Sequence, residues 1–395
     1  MEYFFDTFFL LFLTSLSIAR NHHTHYSTVA IFNDIFSLVL FCLFLYISYS
    51  YVFLKCENFE KAGKLVLRNT IVALSLFSTF FFIFYFLSEP TNSEGVLLGM
   101  IGISFKKRAI PFVDIHPNLI GILTGGTFVL QILYLYFIEN TKFVKYCISL
   151  MSVICFIFIL FTDSRGTFFN SILTVTIIIL LHKMAFLGSL RIIPFVFPVL
   201  SFLFLALLPL LAQSDIGDAL SRDKKDLATG NSRAIVWRHC IEELSNFKPN
   251  HFFGYGENGH YAAGVSKKYW RLFGLDPMKK FTVTHNNFLQ ILFDMGYLGA
   301  LCLILLLTIV LKQLYYIYSQ HFRFAVVPMG YVLYYVLSGT TESIYGTYNR
   351  VYLFIFLGVL ILSTILYNEY LKHAETEQLL GKFEKVSCDK KEMIV

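Results

Sequence analysis

The sequence predicts an all-α polytopic membrane protein of about 10–12 transmembrane helices with one large outer loop, and three observations predict it. Of 395 residues, 56% are hydrophobic and only 15% charged, where a globular domain carries about 25% charged residues. Apolar runs such as 71–87 and 192–211 recur along nearly the whole chain, giving a mean hydropathy of +0.63, and stretches of that length need lipid around them. One hydrophilic segment, 213–284, interrupts them. This composition excludes a soluble enzyme, a disordered chain and a small disulfide scaffold. It also excludes a strongly basic nucleic-acid binder, because the net charge of +6 is spread over 32 Lys/Arg and 26 Asp/Glu.

Taken in order, stretches able to cross the hydrocarbon at about 1.5 Å per residue lie near 4–19, 31–54, 69–88, 118–138, 147–162, 167–181, 192–212, 288–317, 325–340 and 351–367. The first has no Ala-x-Ala cleavage site after it and reads as a retained helix. The glycine-rich stretch 96–113, interrupted by Lys106-Lys107-Arg108, reads as re-entrant or interfacial. The chain thus divides into N-terminal transmembrane helices (1–212), an outer loop with short helices (213–284), C-terminal transmembrane helices (285–370) and a cytoplasmic tail (371–395).

Lysine and arginine set the orientation. With the N-terminus inside, the inner segments carry Lys55, Lys61, Lys64, Arg68, Lys142, Lys145, Lys183, Arg191, Lys312, Arg323 and the lysines of the tail. The outer short loops offer Arg20, Arg165 and Arg350, and the cluster at 106–108 is the exception. The loop 213–284 then faces outward, which in a bacterium is the periplasm. Its eleven Lys/Arg against eight Asp/Glu suggest an anionic partner.

Three places put polar or cationic groups at a helix start on that face. Asp163-Ser164-Arg165-Gly166 is a tight turn between two spans. An arginine at such depth costs about 2.5–3.5 kcal/mol on insertion scales, so it needs a structural partner such as Asp163 or an anionic ligand. Asn231-Ser232-Arg233 opens a capped amphipathic helix with Ala234, Trp237, Ile241 and Leu244 on its apolar face. There the Arg233 guanidinium and the free backbone amides outline a phosphate site, with an ordinary surface arginine as the alternative. Thr284-His285-Asn286-Asn287 stands directly before the span that follows the loop. His285, with an unperturbed pKa of about 6.5, can accept a proton from a sugar hydroxyl, or is an interfacial structural residue.

Other residues are weaker candidates. Arg222, Arg238 and Arg271 suit a solvated face better, with Arg238 kept for substrate binding. Lys106, Lys107 and Arg108 are a landing site for phosphorylated lipid head groups or a simple interfacial anchor. His22-His23-x-His25 reads as an outer loop rather than a metal site. Gly254-Tyr255-Gly256 after Pro249 reads as a turn bringing the loop back to the membrane, and Gly296-Tyr297-Leu298-Gly299 as a close approach of two helices. None of the seven cysteines has a metal-finger spacing. With no Walker loop, no dinucleotide fingerprint and no His-Glu-x-x-His, no cofactor is expected.

In this order the pieces resemble the O-antigen ligase family of lipopolysaccharide-assembly membrane enzymes, which shares a homologous region with O-antigen polymerases. The resemblance rests on Ser164-Arg165-Gly166 at a span end, an outer loop with Ser232-Arg233 and an aromatic helix, and the Pro249 to Gly254-x-Gly256 turn. It continues with His285-Asn286, followed after nine residues by Gly296-x-x-Gly299. Ala300 stands where the family has a small Thr, Ser or Val, which keeps the size and loses any hydroxyl. The likeness covers about residues 145–300.

That resemblance implies a fold similar to the GT-C glycosyltransferases. It implies transfer of polysaccharide from undecaprenyl diphosphate to a sugar hydroxyl of lipid A-core, on the periplasmic face of the inner membrane, inverting and independent of metal and ATP. Arg165 and Arg233 would bind the diphosphate and neutralise its growing charge, and His285 would orient or deprotonate the acceptor hydroxyl. Asn286, Arg238, Lys106, Lys107 and Arg108 complete the substrate-binding candidates. The partners are then the lipid-linked polysaccharide, lipid A-core and membrane lipids, with no nucleic acid.

Other readings are an O-antigen polymerase using the same donor, a related ligase acting on another acceptor such as a protein hydroxyl, a lipid-linked-sugar transporter and a non-catalytic scaffold. Transporters usually carry inverted repeats and charges deep within spans. Here the notable charges collect at one face.

Overall fold

The computed structural model describes residues 12, 14–20, 28–56, 58–99, 103–108, 117–138, 141–200, 203, 232–273, 282–344 and 350–392. Its principal helices are α1 (Thr28–Lys55), α2 (Phe59–Leu87), α3 (Pro117–Phe137), α4 (Lys142–Thr162), α5 (Arg165–Lys183), α6 (Arg233–Ser245), α7 (Asn287–Asp294), α8 (Gly296–Ser319), α9 (Val326–Gly339) and α10 (Arg350–Glu392). Among the described residues, seven helices are long and apolar enough to cross a membrane, namely α1 to α5, α8 and α10. The chain is the all-α polytopic membrane protein that its composition predicts. Most of the expected span 4–19, the end of 192–212 and the loop segments 213–231 and 274–281 lie outside the described residues.

The bundle is organised around α3, which packs against α2, α4, α5 and α9, while α10 lies against α1 and α8. Small residues allow this closeness. A Cβ at Gly125 of α3 would stand 2.5 Å from the Tyr334 hydroxyl of α9, whose OH donates to the Ile122 carbonyl at 2.7 Å. Helices whose tails face lipid gain no hydrophobic drive from meeting one another, so small residues and interhelical hydrogen bonds select the partners.

One expected span is corrected. The run 288–317 is not one helix: α7 and α8 are separated at Met295 and Gly296, where Gly296 adopts φ 73°. The run 325–340 forms α9, which continues directly from a 3₁₀ turn at Arg323–Ala325. Nearly all of its residues are buried.

The stretch around 96–113 contains a short antiparallel pair, Pro90–Glu94 with Lys106–Arg108, in which Pro90 faces Arg108 and Glu94 faces Lys106. The Arg108 guanidinium donates to the carbonyls of Phe86 (2.6 Å) and Ser88 (2.9 Å), at the C-terminal end of α2. That end carries unsatisfied carbonyls and the negative pole of the helix dipole, so a cation there is stabilising. Within the basic cluster 106–108, Arg108 therefore has a local structural role.

Candidate functional site

Four polar turns meet at one end of the bundle. The first links α4 to α5. Asp163 takes the left-handed conformation (φ 51°), which its short polar side chain tolerates, and reverses the chain within two residues. Its carboxylate accepts from the Leu97 amide at 2.8 Å, and Ser164 shares a 2.7 Å hydrogen bond with Thr167. Arg165, half-buried, is the first residue of α5. A Cβ at the neighbouring Gly166 would lie 3.7 Å from Thr341 Oγ1, which sets this helix start against the turn that follows α9.

The second turn opens α6. Arg233 is again the first helical residue, but Ser232 is left-handed (φ 67°) and its side chain does not cap the helix. The expected apolar face is also rotated. Val236, Trp237 and Cys240 are fully buried, while Ile241 is 42% exposed. The Trp237 indole sets this rotation by donating to the Thr284 carbonyl at 2.9 Å.

The third turn is Thr284-His285-Asn286. Asn286 caps α7, accepting from the Leu289 amide at 2.9 Å, and its Nδ2 donates to the Thr340 carbonyl at 3.2 Å. Its own amide donates to Ser343 Oγ at 3.2 Å, and Thr284 Oγ1 lies 3.2 Å from the same hydroxyl. Asn286 is thus occupied in holding His285, which sits between these two anchors with φ 51°.

The fourth turn, Thr340 to Ser343, supplies the residue that joins the others. Glu342 Oε1 accepts from Arg233 Nη2 at 2.5 Å, and Glu342 Oε2 lies 3.1 Å from His285 Nδ1. The three side chains are 20%, 17% and 24% exposed respectively for Arg233, Glu342 and His285. Each is withdrawn from bulk water yet open to a ligand. Charge-assisted hydrogen bonds in such a setting are shorter and about twice as strong as neutral ones.

Glu342 is absent from the residues the sequence singles out. One signal pointed to it: a lone carboxylate directly after an apolar run, at the same face as Arg165, Arg233 and His285, where an unpaired acid is as costly as an unpaired arginine.

The remaining candidates lie apart from this cluster. Arg238 is exposed and pairs loosely with Glu242 at 3.7 Å, one turn along α6. Lys106 is exposed, Lys107 lies in the same strand, and Arg108 caps α2 as described. Arg222 and the histidines at 22, 23 and 25 lie outside the described residues. Among the described residues no group of three or more His, Cys, Asp or Glu is placed to hold a metal ion.

Beneath the site, the break between α7 and α8 is held by the loop. The amides of Tyr255 and Gly256 donate to the carbonyls of Phe293 (2.7 Å) and Asp294 (3.0 Å), so Gly254-x-Gly256 does return the loop to the helices. Gly296 therefore serves a helix end and loop docking, not the helix–helix approach expected. The buried Asp294 Oδ1 accepts from the Gly259 amide (2.8 Å) and from Gln290 Nε2 (2.9 Å). Burial pushes the Asp294 carboxyl up to about 8, against the lowering effect of those two donors.

Residues 150–304 match the family model described as O-antigen ligase. No curated protein sequence matches the chain. The matched segment contains Arg165, Arg233, His285 and Asn286, and Glu342 lies beyond it. The family implies a ligase- or polymerase-type transfer of lipid-linked polysaccharide within a membrane. Over residues 150–304 this multi-pass helical membrane protein is similar to the O-antigen ligase family.

Proposed function

We propose that the protein is an O-antigen ligase, moving a preassembled polysaccharide from undecaprenyl diphosphate onto a sugar hydroxyl of lipid A-core at the periplasmic face of the inner membrane. The observation that carries this reading is the meeting of Arg233 and His285 on one carboxylate, with the Arg165 helix start against the same turn.

The chemistry asks little beyond positioning and charge. The sugar is already activated by its diphosphate, so catalysis consists of holding two lipids in register and stabilising the leaving group. Arg165 and Arg233, each at the first residue of a helix, present guanidinium groups to the diphosphate at the positive pole of the helix dipole, the arrangement that binds phosphate. His285 takes the proton of the acceptor hydroxyl as its oxygen attacks the anomeric carbon in line with the departing diphosphate, which inverts the configuration there. Lys106 and Arg238 add long-range attraction for anionic head groups.

The test is the lipopolysaccharide profile and the undecaprenyl-linked sugar pool of the native host after deletion of the gene. Loss of all O-chain from lipid A-core, with long polymer accumulating on undecaprenyl diphosphate, is the expected result. Lipid A-core capped by a single repeat unit would identify a polymerase, and an unchanged profile would overturn both readings. Complementation with Arg233→Ala or His285→Ala protein, present in the membrane at normal level, is expected to leave the deletion phenotype in place.

A further inference from the structure

We propose that Glu342 is the positioning residue of this site, fixing the tautomer of His285 with one carboxylate oxygen and aligning Arg233 with the other. The inference rests on the assignment of Arg233 and His285 to donor and acceptor, and it adds a group that lies outside the matched family segment.

The argument begins with hydrogen-bond inventory. An ionised carboxylate only accepts. Glu342 is held ionised by the Arg233 guanidinium on Oε1, which is charged at every physiological pH. The 3.1 Å contact from Oε2 to His285 Nδ1 is therefore a donation by the imidazole N–H. With its proton on Nδ1, the neutral ring carries its lone pair on Nε2, and that nitrogen is the base.

The reaction then balances. As the acceptor oxygen forms its bond to the anomeric carbon, its proton passes to Nε2, and the bond from that carbon to the diphosphate oxygen breaks with its electron pair leaving on undecaprenyl diphosphate. The imidazolium so formed faces the Glu342 carboxylate 3.1 Å away, which lowers the cost of its charge.

The carboxylate is also built in. Thr340, on the same turn, is bonded to Asn286, and Ser343 is bonded to Thr284 and to the Asn286 amide. Residues 284–286 and 340–343 are thus tied on both sides of the His285–Glu342 contact. A side chain placed by anchors on either side keeps its geometry when substrate arrives.

The experiment uses the purified full-length protein with lipid-linked polysaccharide and lipid A-core, measuring initial rates from pH 5.5 to 8.5. Glu342→Gln presents an amide donor that favours the opposite tautomer. It is expected to lower kcat by up to about 10⁴-fold, the scale seen when the acid that orients a catalytic histidine is neutralised. Glu342→Asp keeps the charge and should recover part of the rate across this pH range.

A wild-type kcat for Glu342→Gln overturns the proposal. So does a fall in kcat that Glu342→Asp does not relieve, since that marks a purely structural carboxylate. If the glutamine variant does not accumulate, Glu342→Asp carries the test: an intermediate kcat supports the proposal, and a kcat as low as that of His285→Ala overturns it. Arg233→Ala and His285→Ala run alongside separate the two levels. If they are inactive and Glu342→Gln is not, only the Glu342 role fails, whereas wild-type rates in both would remove the site assignment itself.

Discussion

Gly254 and Gly296 lie backbone to backbone, 42 positions apart in the chain. A Cβ on Gly254 would stand 2.5 Å from the Gly296 nitrogen, and one on Gly296 would press on the Gly254 nitrogen in return. Both have φ near +75°, at 75° and 73°. Alanine at either position pays about 1–3 kcal/mol for a positive-φ backbone before any clash with the facing chain, and Gly254, with ψ 177°, lies in a region that is essentially glycine-only. Gly254→Ala and Gly296→Ala are expected to unfold several degrees lower, or to fail to accumulate in the membrane. Gly99→Ala, which meets nothing within 4 Å, serves as the neutral control. Thermal unfolding of the three purified variants checks this.

Asn286 holds the start of α7 and the Thr340 carbonyl at once. Removing an N-cap costs about 1 kcal/mol, and losing a further buried bond about as much again. Asn286→Ala should therefore lose about 2 kcal/mol of stability and lower the transfer rate through its effect on His285. Asn286→Asp keeps the cap acceptor and lacks the donor to Thr340, so it should lose about half as much. Paired measurements of melting temperature and initial rate distinguish them.

Asp294 predicts a pH dependence with a definite sign. Its folded pKa of about 8 exceeds that of an unfolded aspartate, so the native state holds a proton that the unfolded chain has released. The stabilisation is complete below about pH 4 and is lost as pH rises through 8. Asp294→Asn retains an oxygen for the Gly259 and Gln290 donors and does not titrate. Between pH 6 and 9 the melting temperature of the wild type should fall more than that of the variant. Parallel curves would refute the assignment.

Arg108 predicts a division between stability and binding. Arg108→Ala leaves the Phe86 and Ser88 carbonyls without their cation, and charge-assisted bonds contribute about 1.5–3 kcal/mol each when enclosed. Exposure at the membrane surface reduces this, so a fall of a few degrees in melting temperature is expected, with unchanged affinity for the lipid-linked donor. A weakened donor affinity at unchanged stability would instead assign Arg108 to substrate binding.

The spans could be read from sequence because a lipid-crossing helix must be apolar for a length set by the hydrocarbon, a local property of the chain. Arg165, Arg233 and His285 could be singled out for a related reason, as each is a costly polar group beside an apolar run. Glu342 carries the same signal, but its partners could not be found by such reasoning. It reaches Arg233 and His285 only because α9 packs on α3 and α5 and ends beside α7, a tertiary arrangement. The break at Met295-Gly296 was hidden in a continuous apolar run. Its local sign was the pair Gln290 and Asp294, whose polar atoms need partners that a lipid-facing helix would lack. The rotation of α6 was missed because Ile241 and Val236 are equally apolar, and the Trp237 hydrogen bond chooses between them.

That same indole gives the protein an internal optical probe. The chain has two tryptophans. Trp237 is sealed from solvent and bonded to the carbonyl of Thr284, the residue before His285, while Trp270 is half-buried with the Arg271 guanidinium over its ring. Replacing Trp270 with phenylalanine leaves a single fluorophore whose emission depends on how closely α6 sits against the histidine turn. The arrival of a lipid diphosphate could then be followed by intrinsic fluorescence, with no label added to either substrate.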